Sequence, residues 1–338
     1  MQKDRINALR HKISELTPGI FVSIVVAVAA TFLAEHYDVP VMLLALLLGM
    51  ALSFLAVEGQ CKAGIEFTAR SIMRLGIALL GMRITLEQMT ALGWKPFVLV
   101  LLLIVMTIST SMIVAKMIGF QRLFGMLTGG ATAICGASAA LALSAALPNH
   151  PQKEKATLFT VIGVSTLSTV AMIVYPMIAD WLALSPVHAG IFLGATIHDV
   201  AQVVGAGYSM SPETGDIATV VKLMRVAMLL PVIICAAMIT RLQGVETIGT
   251  VNRPPLLPWF AVGFLVLACI NSTGWVPVLI QSHLSELSRW CLVVAISALG
   301  MKTQLKELAT VGIKPILLMI GESIFLILFV LMVLYWLF

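Results

Sequence analysis

The amino-acid sequence predicts an all-α polytopic membrane protein of about 11 hydrophobic segments, with inverted repeats and two interrupted or re-entrant helices at its core. Three observations predict it. Of 338 residues, 60% are hydrophobic and 11% charged, and mean hydropathy is +1.04, which leaves too little polar surface to cover a soluble globule. Apolar runs of roughly twenty residues, the length that crosses a bilayer, recur from end to end. A stretch near the start also returns near the end at one constant offset. Leu80, Gly81, Met82, Leu86, Gly93, Lys95 and Pro96 match Leu299, Gly300, Met301, Leu305, Gly312, Lys314 and Pro315, while Arg70 and Arg83 face Arg289 and Lys302. Apolar composition alone does not repeat glycines, basic residues and a proline, and such symmetry is a signature of secondary transporters.

In chain order the segments read as 17–34, 39–57, 66–82, 96–118, 121–147, 154–180, 185–208, 216–242, 257–276, 286–301 and 315–337. Lys3, Arg5, Arg10 and Lys12 precede the first run, and no small-residue cleavage site follows it, so it reads as a retained helix. The third segment carries Arg70 and Arg74 on one face, and the fourth carries Thr107, Ser109, Thr110 and Ser111, which either line a path or bond back to their own helix. Glu322 in the last segment lies about two turns beyond Lys314, which places it at the interface or in an interhelical ion pair. The whole chain, 1–338, reads as one transporter domain with repeat copies around 66–118 and 285–337 and core elements 121–147 and 185–208.

The fifth and seventh segments replace leucine and valine with small residues. The fifth runs from Thr128 through Gly129, Gly130, Ala131, Thr132, Cys135 and Gly136 to Ser138; the seventh from Gly194 through Thr196, His198 and Asp199 to Gln202. Both contain Gly-Ala-Thr. Tight packing between helices is the alternative explanation for such stretches. If every segment crossed once from a cytoplasmic N-terminus, Lys153 and Lys155 would lie outside while the loop around Asp180, which has no Lys or Arg, would lie inside, against the positive-inside tendency. Re-entrant hairpins at the fifth and seventh segments return Lys153 and Lys155 to the cytoplasm with Lys62, Lys116, Arg122, Arg241, Arg253, Lys302, Lys306 and Lys314. Loops at Glu35–Asp38, Asp180 and Glu213–Asp216 then face outward, and Arg83, Lys95 and Arg289 remain exceptions. Broken helices that cross fully would serve the same chemistry.

A helix that starts inside the bilayer aims unpaired N–H groups and partial positive charge at whatever precedes it. The break at Gly129–Gly136 therefore offers an anion seat built from the Thr132 and Ser138 hydroxyls and the Cys135–Ala137 amides. His198, Asp199 and Gln202 fall within about one turn; an ionisable pair at membrane depth costs at least ~2.5 kcal/mol unless paired, solvated or functional. They read as a proton-coupling group or, alternatively, as a hydrogen-bonded cluster that joins two helices. In the eighth segment Lys222 and Arg225 share a face at i,i+3 spacing ahead of Pro231, which should kink the helix. Lys222, about 9 Å from the helix start, is within snorkelling reach of the surface, whereas Arg225, at about 13 Å, reads as a countercharge to Asp199 or to a substrate.

Cys61, Cys135, Cys235, Cys269 and Cys291 are odd in number and scattered, so neither a disulfide framework nor a metal site is expected. No cofactor or nucleic-acid partner is expected. The net charge of +5 mostly reflects loop anchors.

At the strings GGATAICGASAA, GATIHDVAQVVGAG and KLMRVAMLLP the chain resembles the YeiH family of bacterial inner-membrane proteins, to which sulfate export is ascribed. The resemblance covers nearly the whole chain from Pro18. It implies kinship with the fold of cation/proton antiporters and bile-acid/sodium symporters, in which inverted repeats build a core with interrupted helices at the substrate site. Carried over by motif, it points to Thr132, Cys135, Gly136 and Ser138, and to His198, Asp199, Gln202, Lys222 and Arg225. Members commonly have Glu at the position of Asp199, so the carboxylate is kept with a shorter reach.

The sequence thus leads to a secondary active transporter, an exporter of a small anion such as sulfate, sulfite or a sulfonate, coupled to protons or sodium, in the bacterial inner membrane with a cytoplasmic N-terminus. Substrate is expected between the two Gly-Ala-Thr elements, at Thr132, Cys135, Gly136, Ser138, Thr196, Gln202 and Arg225; His198, Asp199 and Lys222 are expected to couple the ion. Fold analogy implies a homodimer. The rivals are an intramembrane enzyme that uses His198 with Asp199 or Cys135, disfavoured because neither an HExxH nor a GxSxG motif is found, and a passive anion channel.

Overall fold

The computed structural model describes residues 2–37, 39–57, 59–85, 87, 90, 92–147, 152–242, 259–303 and 312–337. Leu86 and Leu305 of the repeat, with Asp38, Arg253 and Lys306, lie outside the described residues. Among those described there is helix and no strand, as the composition predicts. In order the helices are α1 Gln2–Tyr37, α2 Val41–Ala51, α3 Phe54–Val57, α4 Lys62–Phe67 (continued by a π turn, Thr68–Ile72, into α5 Met73–Leu80), α6 Lys95–Met117, α7 Arg122–Ala133, α8 Ala137–Ala146, α9 Lys153–Trp181, α10 Pro186–Thr196, α11 Val200–Met210, α12 Pro212–Ala227, α13 Leu229–Leu242, α14 Trp259–Ser272, α15 Val278–Lys302 and α16 Ile313–Leu337.

Helix occupies part of every apolar run, and among the described residues six stretches are long and apolar enough to cross a membrane: Ser14–Tyr37, Lys95–Met117, Lys153–Trp181, Pro212–Ala236, Val278–Lys302 and Ile313–Trp336. The outward faces of these helices are apolar too. On α6, Leu101, Leu102, Val105 and Ile113 are exposed while Leu99, Leu103, Thr107 and Ser111 are buried, the pattern of a helix solvated by lipid rather than water. Trp94, Trp181, Trp275 and Trp336 stand exposed at helix ends, where indole rings favour the membrane interface. The kink expected at Pro231 is realised three residues earlier, as the interruption at Met228 between α12 and α13.

The chain forms two compact units, residues 1–89 with 259–304, and residues 90–258 with 305–338. In the first, α15 packs on α1, α2, α4 and α5, and the Ser288 hydroxyl donates to the Gly76 carbonyl at 2.7 Å. The repeated glycines explain themselves here. A Cβ on Gly81 would lie 2.2 Å from the Phe264 carbonyl of α14, and one on Gly300 would lie 2.3 Å from the Leu46 carbonyl of α2. Each copy of the repeat thus lets a helix adjoining the other copy touch its backbone. Repeat residues Arg70 and Arg289 are surface groups paired with Glu66 and Glu286 on their own helices, at 3.1 and 3.9 Å, contacts worth little in stability.

In the second unit α6 packs along α7, and α12 packs along both α10 and α11. Both pairs of half-helices fold back on themselves. A Cβ on Gly130 in the last turn of α7 would lie 2.3 Å from Leu143 of α8, and Thr214 at the start of α12 donates its hydroxyl to Pro186 O while its amide bonds Ser211, so the start of α10 and the end of α11 meet. Met126, Leu127, Ala131, Ala140, Leu143, Val164 and Met319 form the apolar core between α7, α8, α9 and α16.

Candidate functional site

The breaks fall at Ile134–Gly136 and Ile197–Asp199, inside the two small-residue segments. An α-helix leaves its last four carbonyls without intrahelical partners, and its C-terminus carries roughly −0.5 charge. At the ends of α7 and α10 these carbonyls converge on two buried cations from one face of α12. Arg225 donates from Nε to Ala133 O at 2.8 Å, from Nη1 to Gly194 O and Ile197 O at 3.0 and 2.9 Å, and from Nη2 to Thr132 O at 2.8 Å. Lys222 Nζ donates to Ile134 O at 2.7 Å, Ile197 O at 2.9 Å and His198 O. The i,i+3 spacing seen in sequence is what lets one helix neutralise two others, and the two Gly-Ala-Thr elements meet on one guanidinium.

Both cations are fully buried, so Lys222 does not snorkel. All three of its N–H groups are used, as are four of the five on Arg225. The role that geometry gives these side chains is to hold helix ends, where the sequence reading expected Arg225 to face Asp199 or a substrate.

The two N-terminal halves differ. Asp199 is the N-cap of α11: Oδ1 accepts from the Ala201 amide at 2.8 Å, while the Asp199 amide donates to Ser168 Oγ at 2.9 Å. Gly136 is the N-cap of α8, with φ +64° and ψ −128°, so the N-cap residue has no side chain to offer; the Cys135 side chain meets the Ala139 amide in the first turn. Ser138, in its first turn, is exposed and Ala137 half-buried, whereas residues 131–136 are buried. Amides at a helix start are an anion seat by charge and by donor geometry.

The remaining sequence-selected residues fall around these breaks. Thr132 is buried, and its hydroxyl donates to Glu322 Oε2 at 2.8 Å. Cys135 is buried at the bend. The Thr196 hydroxyl bonds back to Phe192 O at 2.6 Å. Gln202 donates from Nε2 to Thr169 at 2.9 Å, and its Oε1 is a buried acceptor without a partner among the described residues. His198 is buried with Nδ1 3.2 Å from Thr132 O and Nε2 3.0 Å from Ser323 Oγ.

Glu322 and Ser323 belong to the same cluster, and this corrects the interfacial or ion-paired placement expected for Glu322. The carboxylate is buried, with Ser111 and Thr128 donating to Oε1, the latter at 2.7 Å, and Thr132 to Oε2. Its signal in the sequence is the spacing of Thr128 and Thr132, four apart on one face of α7, with Ser111 in mid-α6 and the Glu322-Ser323 dipeptide inside an apolar helix.

Broken helices whose carbonyl ends close on buried basic groups, in a chain whose described residues hold helix and no strand with six candidate spans among them, define a multi-pass membrane protein of transporter-like architecture. A family model described as "Conserved hypothetical protein 698" matches residues 18–319. The chain belongs to this family, the UPF0324 membrane proteins, and the YeiH resemblance fits it. It is 50% identical over 328 residues to a UPF0324 membrane protein of Chlorobaculum tepidum, covering 97% of this chain and 91% of the relative. It is 49% identical over 322 residues to the UPF0324 membrane protein TauZ of Paracoccus denitrificans, covering 95% of each, and 47% identical over 333 residues to one of Rhizobium meliloti, covering 98% and 96%.

Proposed function

We propose that this chain is a secondary active transporter that exports a small oxyanion, sulfate, sulfite or a sulfonate, coupled to protons or sodium. The observation that carries the reading is the asymmetry of the half-helix starts: one is capped by the Asp199 carboxylate, and the other begins at a glycine, with its Ala139 amide met by the neutral Cys135 side chain and Ser138 exposed. With the carbonyl ends closed by Lys222 and Arg225, the amides at the start of α8 are the donors left to meet an anion. Arg225 and Lys222 contribute field rather than contact, since about −1 from two helix ends offsets only half of their charge.

The fold-back of both half-helix pairs supports re-entrant hairpins rather than full crossings. α7 and α10, with 12 and 11 residues, reach about 16–18 Å, roughly half a ~30 Å hydrocarbon core. Hairpins keep Lys153 and Lys155 with the cytoplasmic basic loops and the N-terminus inside, in the bacterial inner membrane. A transporter suits the site better than an enzyme, because both ring nitrogens of His198 are engaged by Thr132 and Ser323 and neither is directed at Cys135. Homodimerisation follows from fold analogy alone.

Purified protein in liposomes tests the proposal by counterflow with a panel of sulfur oxyanions. Saturable, counterflow-competent uptake that is lost in Ser138→Asp, where a carboxylate occupies the seat, is the expected result; non-saturating flux would favour a channel, and product formation in detergent an enzyme.

A further inference from the structure

Two serines in the second unit each stand between a titratable side chain and a backbone carbonyl. Ser111 Oγ lies 2.7 Å from Gly125 O and within hydrogen-bond distance of Glu322 Oε1. Ser323 Oγ lies 2.9 Å from Met319 O and 3.0 Å from His198 Nε2. A hydroxyl has one proton to donate and two lone pairs to accept with, so each serine has two satisfied states. With Glu322 ionised, Ser111 donates to it. With Glu322 protonated on Oε1, the acid donates to Ser111 Oγ, and the serine proton turns to Gly125 O.

At the other serine the Thr132 carbonyl, which only accepts, assigns a proton to Nδ1 of His198. Neutral His198 therefore accepts at Nε2 from Ser323. Protonated His198 donates from Nε2 to Ser323, which turns its proton to Met319 O. Thr132 joins the two switches, with its hydroxyl on Glu322 and its carbonyl on His198.

We propose that Glu322 and His198 form a proton-carrying pair, in which each added proton is accommodated by the rotation of one serine hydroxyl, Ser111 or Ser323, and no buried polar group is orphaned. Each loading step adds one proton to a carboxylate or an imidazole and breaks no covalent bond. The groups that face the pair can be named element by element. They are Ser111 from α6, Thr128 and Thr132 from α7, Tyr175 from α9 through Ser323, and, across the Thr132 carbonyl, Arg225 of α12. From α10 the group is His198 itself, just past its end. Two basic groups, Arg225 and Lys222, sit close by against helix ends that offset only about half of two full charges, so an ionised Glu322 relieves the surplus and a protonated one restores it. The proposal rests on the transport reading for its coupling role only, and proton loading stands on the hydrogen bonds alone.

Infrared difference spectroscopy of the purified chain in lipid nanodiscs reads proton loading without any transport. Acidification is expected to raise a protonated-carboxyl band that is missing in Glu322→Gln and displaced in Glu322→Asp, and in Ser111→Ala its midpoint moves by about one pH unit or more. Loss of a donor shifts a carboxylate whatever its role, so the gradient response in liposomes is the readout that a purely structural carboxylate would not move. In liposomes, Glu322→Gln loses at least about tenfold of the response to an imposed pH gradient. A band that persists in Glu322→Gln, a midpoint indifferent to Ser111→Ala, a band that answers sodium instead of acid, or a wild-type gradient response in Glu322→Gln overturns the proposal. If the wild-type protein moves no anion, the transport reading falls and the infrared titration still decides on Glu322.

Discussion

The two broken helices begin alike and finish differently. Both carry Gly-Ala-Thr, and both give carbonyls at their first break to the cations of α12, yet α11 restarts under an aspartate cap and α8 restarts at a glycine. A helix end in a low-dielectric interior needs a countercharge, and the chain supplies one at three of the four ends. The fourth, at Gly136–Ser138, is the end left for a ligand. Small-residue composition says only that a helix is interrupted; the capping chemistry says which half is structural and which is open.

The largest effect should come from the ends treated alike. Arg225→Ala leaves four carbonyl contacts unmet beside Lys222, and a loss of about 3–5 kcal/mol is expected, read as a collapse of the melting temperature in detergent. A near-native melt would mean that the helix ends need no countercharge, which breaks the comparison at its shared half. Gly136→Ala comes next. A Cβ there has room, 3.6 Å from His198 O, but φ +64° with ψ −128° suits only glycine, and about 1–3 kcal/mol is expected from backbone strain in thermal unfolding. The smallest effect separates cap from charge at the closed half. Asp199→Ala should lose about 1 kcal/mol and Asp199→Asn almost nothing, because an amide oxygen caps as well as a carboxylate. If Asp199→Asn melts normally yet fails in anion counterflow, the negative charge has a task beyond capping; normal counterflow leaves it a cap.

Much of this was legible in the sequence, for identifiable reasons. Glycines that a repeat preserves, such as Gly81 and Gly300, mark backbone contacts that tolerate no Cβ. The breaks at 134–136 and 197–199 lie where leucine gives way to glycine, alanine and threonine. Lys222 and Arg225 announced a shared face. What they touch was not legible, because backbone carbonyls have no letter in a sequence. Glu322 was misplaced by counting turns from Lys314 along one helix, a measure of depth that ignores the hydroxyls of α6 and α7 that enclose it. Those hydroxyls lie about 190 to 210 residues away in sequence, beyond any local pattern.

The reciprocal contacts of Gly81 and Gly300 also set a clock on biogenesis. The Gly81 backbone meets its partner carbonyl only after Phe264 has left the ribosome, roughly 180 residues later, a wait of about 10 to 40 s at bacterial or slower synthesis rates. Over that interval the first repeat copy sits in the bilayer with its closest helix contact unmade. A truncated transcript that stops before α14 would therefore yield membrane-inserted helices that never close, natural clients for a membrane protease.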